Sequence, residues 1–146
     1  MTKVLAKRLE KVITYIIHPN QSGFVKNRFI GEGIRFVEDL MQYMDAKKKT
    51  GLILQLDFEK AFDSVEWPFL IQVLHHFGFG KDFIEWVKLC YSNIYASVAN
   101  SGFQTVWFEI KRGVRQGCPL SSLLFLLVVE ILAQRIRISG TLKVLL

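Results

Sequence analysis

The chain has 146 residues, a formal net charge of +6 and a hydrophobic fraction of 51%, against about 45–50% in typical soluble domains. The length suits a single domain, and the apolar content together with 13% aromatic residues excludes a disordered chain. Cys90 and Cys118 are too few for a disulfide scaffold. They favour a reducing intracellular location, cytoplasmic or nuclear, over secretion.

The charge is distributed unevenly along the chain. Residues 1–28 and 91–146 are basic, whereas residues 51–90 are acidic. An enzyme that acts on a polyanion has this pattern when carboxylates hold a metal and basic residues contact phosphates. A solvated surface with accidental asymmetry has it too, and charge alone favours that simpler interpretation.

Apolar residues at helical spacing predict a first helix over Leu5–Ile16, which ends before His18-Pro19 because the residue before proline avoids the helical region. Residues 21–28 are predicted to form a loop or short strand. A second amphipathic helix is expected over Ile34–Met44, and the Lys47–Gly51 segment is expected to be a turn.

Gly51–Asp57 is the clearest predicted strand, with apolar residues on both faces. It ends on a carboxylate. The next helix is expected to start at Ser64 or Glu66, to carry Pro68 in its first turn and to end at Gly78. Its predicted inward side chains are Phe69, Leu70, Val73, Leu74 and Phe77.

The second half of the chain predicts a helix over Lys81–Tyr91 and a hairpin of Tyr95–Asn100 with Phe103–Ile110. A glycine-rich turn, Arg112–Pro119, then leads into an apolar helix over Ser121–Ile138. Intermixed helices and strands predict an α+β fold.

No membrane span is predicted, because the apolar run Leu123–Val129 is far shorter than the ~20 residues that a membrane helix needs. The basic, amphipathic N-terminus lacks the apolar stretch of a secretory signal. A membrane-bound or organelle-targeted peptide built on these two features is nevertheless an alternative, and it predicts co-sedimentation with membranes.

The segment LDFEKAFD, Leu56–Asp63, is the first candidate site. A carboxylate at the end of a buried strand needs a compensating cation, and Asp57 offers the hard oxygen ligand that Mg²⁺ prefers. Asp57 equally suits a helix cap or solvent. Phe62 suits either the core or the wall of a nucleotide pocket.

The segment RGVRQGCPLS, Arg112–Ser121, is the second candidate. Gly117 permits close approach of the backbone to a ligand, and Gln116 can hydrogen-bond a base or sugar. A plain turn that enters a helix explains each of these residues equally well.

Taken together, the motifs resemble the reverse transcriptases of LINE-type, non-LTR retrotransposons. The likeness extends over nearly the whole chain, in the family's order. It is carried by TKVLAKRLEKVI (Thr2–Ile13), QSGFVKNRFI (Gln21–Ile30), LQLDFEKAFDSVEW (Leu54–Trp67) and RGVRQGCPLSSLLFLLVVEILA (Arg112–Ala133). It implies part of a right-hand polymerase, fingers and palm, with helices packed on an incomplete, mainly antiparallel sheet over residues 1–146.

The resemblance also implies roles for particular residues. Asp57 matches one of three aspartates that bind the catalytic Mg²⁺ or Mn²⁺ ions, and the main-chain carbonyl of Phe58 matches a further ligand. Phe62 matches the aromatic beneath the sugar that excludes ribonucleotides. The remaining matches are Lys60 and Ala61 along the triphosphate, Gln116 and Gly117 beside the nucleotide, and Gln21, Arg28 and Arg115 near template or primer.

The implied partners are an RNA template, a DNA primer and deoxynucleoside triphosphates. The family's aromatic-Ala-Asp-Asp block, with its two further metal-binding aspartates, does not occur in these residues, because no Asp follows Asp82. We likewise expect the thumb and endonuclease to be missing from this chain, and Ser122 stands where the family has proline. We therefore expect the chain to be a reverse transcriptase fragment that is inactive alone; the alternative is a nucleic-acid-binding remnant without chemistry.

Overall fold

The computed structural model describes residues 1–139. Its helices are α1 (Thr2–Ile16), α2 (Gly31–Ala46), α3 (Trp67–His76), α4 (Lys81–Cys90) and α5 (Pro119–Ser139). Four two-residue strands lie between α4 and α5: β1 (Tyr95–Ala96), β2 (Ala99–Asn100), β3 (Phe103–Gln104) and β4 (Phe108–Glu109). The predicted α+β class is confirmed.

The core lies between helices. α5 packs against both α1 and α3, and α3 packs in turn against α4. α1 contributes Leu5, Leu9 and Ile13 to the core at the predicted helical spacing. The first turns of α5 are buried almost all round, which explains why its sequence is apolar without a clear polar face.

Helix α3 begins and ends close to where the sequence predicts. Glu66 is its N-cap and Pro68 lies in the first turn. Gly78 has a φ of +74°. The N–H groups of Gly78 and Phe79 donate to the carbonyls of His75 and Leu74, which is the Schellman arrangement that favours glycine. Leu70, Val73 and Leu74 are buried as expected, but Phe69 is exposed and its predicted inward position is wrong.

The predicted hairpin is present, with the turn at Ser101-Gly102. β2 pairs antiparallel with β3, and β1 pairs antiparallel with β4. Positive φ at both Ser101 and Gly102 matches the two-residue turn that follows the twist of a hairpin. Between the two pairs, the Thr105 hydroxyl oxygen accepts from the Val98 N–H at 3.0 Å.

The predicted strand over Gly51–Asp57 is wrong. Residues 51–58 form no helix or strand and are exposed, and Leu52 is 91% exposed. An isolated strand has nothing to satisfy its backbone donors and acceptors, and no segment among residues 1–139 pairs with it. We refer to residues 51–58 as the unpaired segment.

Helix α2 forms as predicted, but none of its residues is buried. Ile34 and Met41, on its apolar face, are 63% and 56% exposed. An amphipathic pattern specifies the helix period whether or not a neighbour covers the apolar face. The sequence therefore predicts the helix correctly, while its burial depends on contacts that the described residues do not supply.

Helix α5 is long and apolar enough to cross a membrane, judged by its length and composition alone. The run Leu123–Val129 is only part of this helix, so length alone does not exclude a span. Half of the most apolar stretch of α5 is buried within the protein. The core helix of a soluble protein can have the same length and composition. The absence of a membrane partner stays a prediction.

Candidate functional site

The two candidate motifs, far apart in sequence, lie against each other. The Gly113 N–H donates to the Val65 carbonyl at 2.7 Å, and the Val114 N–H donates to the Phe62 carbonyl at 2.8 Å. The Trp67 indole N–H donates to the Gly113 carbonyl at 2.8 Å. These three bonds hold the turn 59–64 and the start of α3 on the segment that leads into α5.

Gly113 is required at this contact. Its φ is +94°, and a Cβ added there would lie 3.1 Å from the Cα and 3.2 Å from the carbonyl oxygen of Asp63. Both neighbours are backbone atoms, which cannot rotate away as a flexible side chain would. A side chain at position 113 would therefore push the two motifs apart.

Four phenylalanines gather beside this contact, and we call Phe24, Phe58, Phe62 and Phe125 the aromatic cluster. The ring of Phe62 stacks on that of Phe125 from α5, with centroids 4.9 Å apart and planes at 24°. Phe24 meets Phe62 edge-on at 6.3 Å, and Phe58 meets Phe125 edge-on at 6.3 Å. Offset stacking and edge contacts are the geometries that aromatic quadrupoles favour.

Asp57 is exposed at the end of the unpaired segment, next to Phe58 of the aromatic cluster. Among residues 1–139, no three His, Cys, Asp or Glu side chains gather where they could hold a metal ion. One carboxylate and one carbonyl oxygen fall short of the ligands that two adjacent divalent ions require. The described residues therefore do not by themselves form a two-metal site.

Lys60 and Ala61 lie on the turn 59–64. Lys60 has a φ of +51°, and its exposed ammonium group is 4.0 Å from the Glu59 carboxylate. The Ser64 hydroxyl donates to the Lys60 carbonyl at 2.8 Å and closes the turn. Ala61 is half-buried. The turn thus presents the Lys60 ammonium group to solvent and the Phe62 ring to the aromatic cluster.

Gln116 and Gly117 lie on the second motif, and both are exposed. The Gln116 amide is 3.5 Å from the Asp63 carboxylate, to which it donates. Gly117 has a φ of +78°, and nothing lies within 4 Å of the Cβ position. Gln116 therefore lies beside the turn 59–64, which carries the other predicted nucleotide residues.

Arg115 lines a cleft of about 440 Å³ together with Gln116 and Gly117. Lys3 brings a second cation to the same cleft. The lining of the cleft thus includes two cationic side chains and an exposed amide.

Cys118 lies in the same cleft, at the N-terminus of α5. Burial raises the pKa of the Cys118 thiol, but hydrogen bonds from the Leu120 backbone and the Thr2 hydroxyl outweigh burial and hold the pKa below its usual range. Burial raises the pKa of Cys90, also in the cleft. The structure thus shifts the pKa values of the two thiols in opposite directions, a difference that the sequence does not predict.

Arg28, predicted near the template, is engaged within the protein. Its guanidinium donates to the carbonyls of His18 at 2.7 Å and Gln21 at 2.6 Å. Longer bonds reach the carbonyls of Thr14 and Ile17. It thereby ties the 21–28 loop to the C-terminal end of α1, where carbonyls lack intrahelical donors. Template contacts by Gln21 and Arg28 stay predictions.

Glu130 is a buried carboxylate within α5 that the sequence marks only as a break in an apolar run. It accepts hydrogen bonds from the Arg137 guanidinium and, at 3.4 Å, from the His18 N–H. Burial of a carboxylate is costly unless it is paired with a cation and hydrogen-bonded, as it is here. Glu130 thus joins the end of α1 to α5, close to the loop that Arg28 holds.

The sequence does not single out Phe125, Phe24 or Gly113. Phe125 is one apolar residue in a helix of apolar residues, and Phe24 lies in a loop without periodicity. A glycine in a turn has many explanations, so Gly113 carries no specific signal either. Only the three-dimensional contact between the motifs shows what these residues do.

Comparison with known proteins identifies the family. The profile described as "Reverse transcriptase (RNA-dependent DNA polymerase)" matches residues 1–144. The "Transposon TX1 uncharacterized 149 kDa protein" of Xenopus laevis is 37% identical over 133 residues, which cover 89% of this chain and 10% of that protein.

Two further relatives are retrotransposon proteins. The Retrovirus-related Pol polyprotein from type-2 retrotransposable element R2DM of Drosophila melanogaster is 30% identical over 89% of this chain and 12% of its own length. The Retrovirus-related Pol polyprotein from type-1 retrotransposable element R2 of Popillia japonica is 30% identical over 70% of this chain and 17% of its own length. The chain spans only 10–17% of the length of these transposon and retrotransposon proteins. The match over residues 1–144 shows that the chain belongs to the reverse transcriptase family.

Proposed function

We propose that this chain supplies the part of a reverse transcriptase centre that receives the incoming deoxynucleoside triphosphate and one metal-binding carboxylate. The contact between turn 59–64 and residues 113–116 supports this proposal most directly. It joins, by backbone hydrogen bonds, the two motifs that carry the predicted nucleotide residues. The Phe62 carbonyl accepts from the Val114 N–H, and the Gln116 amide donates to the carboxylate of Asp63, the residue after Phe62.

In this proposal, Phe62 lies beneath the sugar and discriminates against a 2′-hydroxyl. Lys60 and Ala61 follow the triphosphate, and Gln116 and Gly117 border the nucleotide and the template. The exposed Lys60 ammonium group and the open space at Gly117 are compatible with these roles.

Asp57 and the Phe58 carbonyl supply part of a metal site in this proposal. Members of the family use divalent metal ions, and Mg²⁺ or Mn²⁺ would provide the charge that stabilises phosphoryl transfer. One carboxylate cannot hold two such ions about 4 Å apart, because their mutual repulsion needs several anionic ligands. We therefore propose that the chain alone does not polymerise DNA.

The family implies a nucleic acid template and primer as partners. In the proposal these are RNA and DNA strands, held through phosphates by the basic residues, with Gln21, Arg28 and Arg115 near the template or primer. Arg115 is exposed and therefore accessible to a phosphate. Binding of this kind weakens as salt rises because counterions are released.

Primer extension tests the proposal in two settings. The isolated chain is expected to give no template-dependent synthesis with either Mg²⁺ or Mn²⁺. A chimaera, in which the chain replaces the matching segment of the Drosophila melanogaster polyprotein, is expected to extend a primer on an RNA template. The unmodified polyprotein is the positive control.

Two variants of the chimaera make the test specific. Asp57→Asn is expected to abolish synthesis, whereas Asp82→Asn, at an exposed position on α4, is expected to retain it. Synthesis that survives Asp57→Asn would contradict the proposed role of the carboxylate. RNA binding by the chain that ignores divalent metal, combined with an inactive chimaera, would favour the non-catalytic remnant.

A further inference from the structure

Phe125 occupies a position that neither motif explains. It belongs to α5, whose neighbouring Leu124 and Leu126 are fully buried in the core. Its own side chain is only partly buried. The ring stacks on the Phe62 ring, with the two centroids 4.9 Å apart. The same ring meets Phe58 edge-on at 6.3 Å.

One side chain of the core helix therefore contacts Phe58, just before the turn 59–64 that carries the proposed site, and Phe62 within that turn. Phe58 follows the proposed metal-binding Asp57, and Phe62 is the proposed sugar platform. The turn itself is exposed over much of its length. The Phe62 main chain is held by the hydrogen bond from the Val114 N–H, and the Phe62 ring is held by its contacts with Phe125 of α5 and with Phe24.

The stack leaves the Phe62 ring little freedom to move toward or away from α5. The backbone bond from Val114 holds the Phe62 main chain, and the Phe125 ring lies under one face of the side chain. Phe24 makes a T-shaped contact with the Phe62 ring, with the centroids 6.3 Å apart. If Phe125 became smaller, the Phe62 ring could sink toward α5 into the space released, since aromatic rings in a partly filled site relax toward the gap.

We propose that Phe125 is a positioning residue. It sets how far the Phe62 ring stands out from α5, and it thereby controls the exclusion of ribonucleotides. This inference rests on the proposed function, because it assumes that Phe62 lies beneath the sugar. Phe125 touches no nucleotide in this scheme. Its effect on the substrate passes entirely through the ring that it supports.

The test compares Phe125→Leu with a matched control. Phe79 and Phe83 form a second stacked pair, with centroids 5.1 Å apart and planes at 24°, between the end of α3 and α4. Phe83→Leu removes an equivalent ring away from the site. Both variants are made in the primer-extension chimaera, and kcat/KM is measured separately for ribonucleoside and deoxynucleoside triphosphates.

Phe125→Leu is expected to raise the ratio of ribonucleotide to deoxynucleotide kcat/KM by about tenfold, as small steric changes in a pocket do. The gain is expected mainly through a lower KM for the ribonucleotide. Phe125→Tyr, which keeps the ring, is expected to keep the original ratio, and so is Phe83→Leu. A merely structural role would lower both efficiencies together and leave the ratio unchanged, which would overturn the inference.

NMR spectroscopy of the isolated chain tests whether the Phe125 ring supports the Phe62 ring. This measurement does not depend on polymerase activity. The Phe125 ring current is expected to shift the Phe62 ring protons upfield in the NMR spectrum. Phe125→Leu is expected to abolish this shift, and Phe83→Leu to preserve it. Unchanged Phe62 resonances in Phe125→Leu would overturn the inference, whereas a chimaera that fails before any substitution counts against the proposed function alone.

Discussion

Replacing Arg28 by alanine gives the sharpest test of the packing around α1. The guanidinium makes two short bonds, 2.6 Å and 2.7 Å, to the carbonyls of Gln21 and His18. A hydrogen bond to a charged group contributes about 1.5–3 kcal/mol. Arg28 is only partly buried, so water can replace part of this contribution, and the longer bonds add little. We expect Arg28→Ala to lower the free energy of unfolding by about 2 kcal/mol.

Urea unfolding followed by circular dichroism measures this loss as a lower midpoint at an unchanged slope. Arg35→Ala, at an exposed position on α2, is the control and is expected to change stability by less than about 0.5 kcal/mol. Arg28→Lys separates the structural role from the predicted template contact. Lysine keeps the charge but lacks the planar fork, so most of the stability is expected to be lost while salt-dependent RNA binding remains. Equal midpoints for Arg28→Ala and Arg35→Ala would refute the reasoning.

Three further outcomes follow from the site and the core. Glu130→Gln leaves a largely buried guanidinium without its charged partner, and we expect a loss of about 3 kcal/mol in urea unfolding; no loss would mean that the pair is solvated. Gly113→Ala is expected to cost about 2 kcal/mol and more than Gly117→Ala, because both positions have positive φ but only the first is crowded by backbone; equal costs would contradict this. Cys118 is expected to react with iodoacetamide faster than Cys90, with a half-maximal rate below the usual thiol pKa, because its lowered pKa keeps thiolate present as pH falls. Equal rates by mass spectrometry across pH 6–9 would contradict the assignment.

The parts of the fold that sequence predicts are those fixed by local chemistry. The α3 terminus at Gly78 and the turn at Ser101-Gly102 need particular backbone angles, and the residues that tolerate them are visible in the sequence. The helical spacing in α1 likewise identifies its buried face.

The parts that sequence does not predict depend on distant neighbours. Residues 51–57 have the composition of a buried strand, but a strand forms only where another backbone pairs with it. The same holds at the site. Asp57 and Gln116 are recognised from motifs, whereas the support of Phe62 by Phe125 arises from a contact between residues 63 positions apart in the sequence. No local pattern encodes such a contact.

The unpaired segment also bears on how the chain behaves at high concentration. A run of exposed apolar residues with free backbone groups is a template on which a second chain can add a strand, and such stretches promote aggregation. Charged residues flank this run, with Lys47–Lys49 before it and Asp57 and Glu59 at its end. These flanking charges oppose aggregation, because chains that stack in register would bring like charges together. Expression and storage at low salt, where that repulsion is least screened, should therefore keep the chain dispersed.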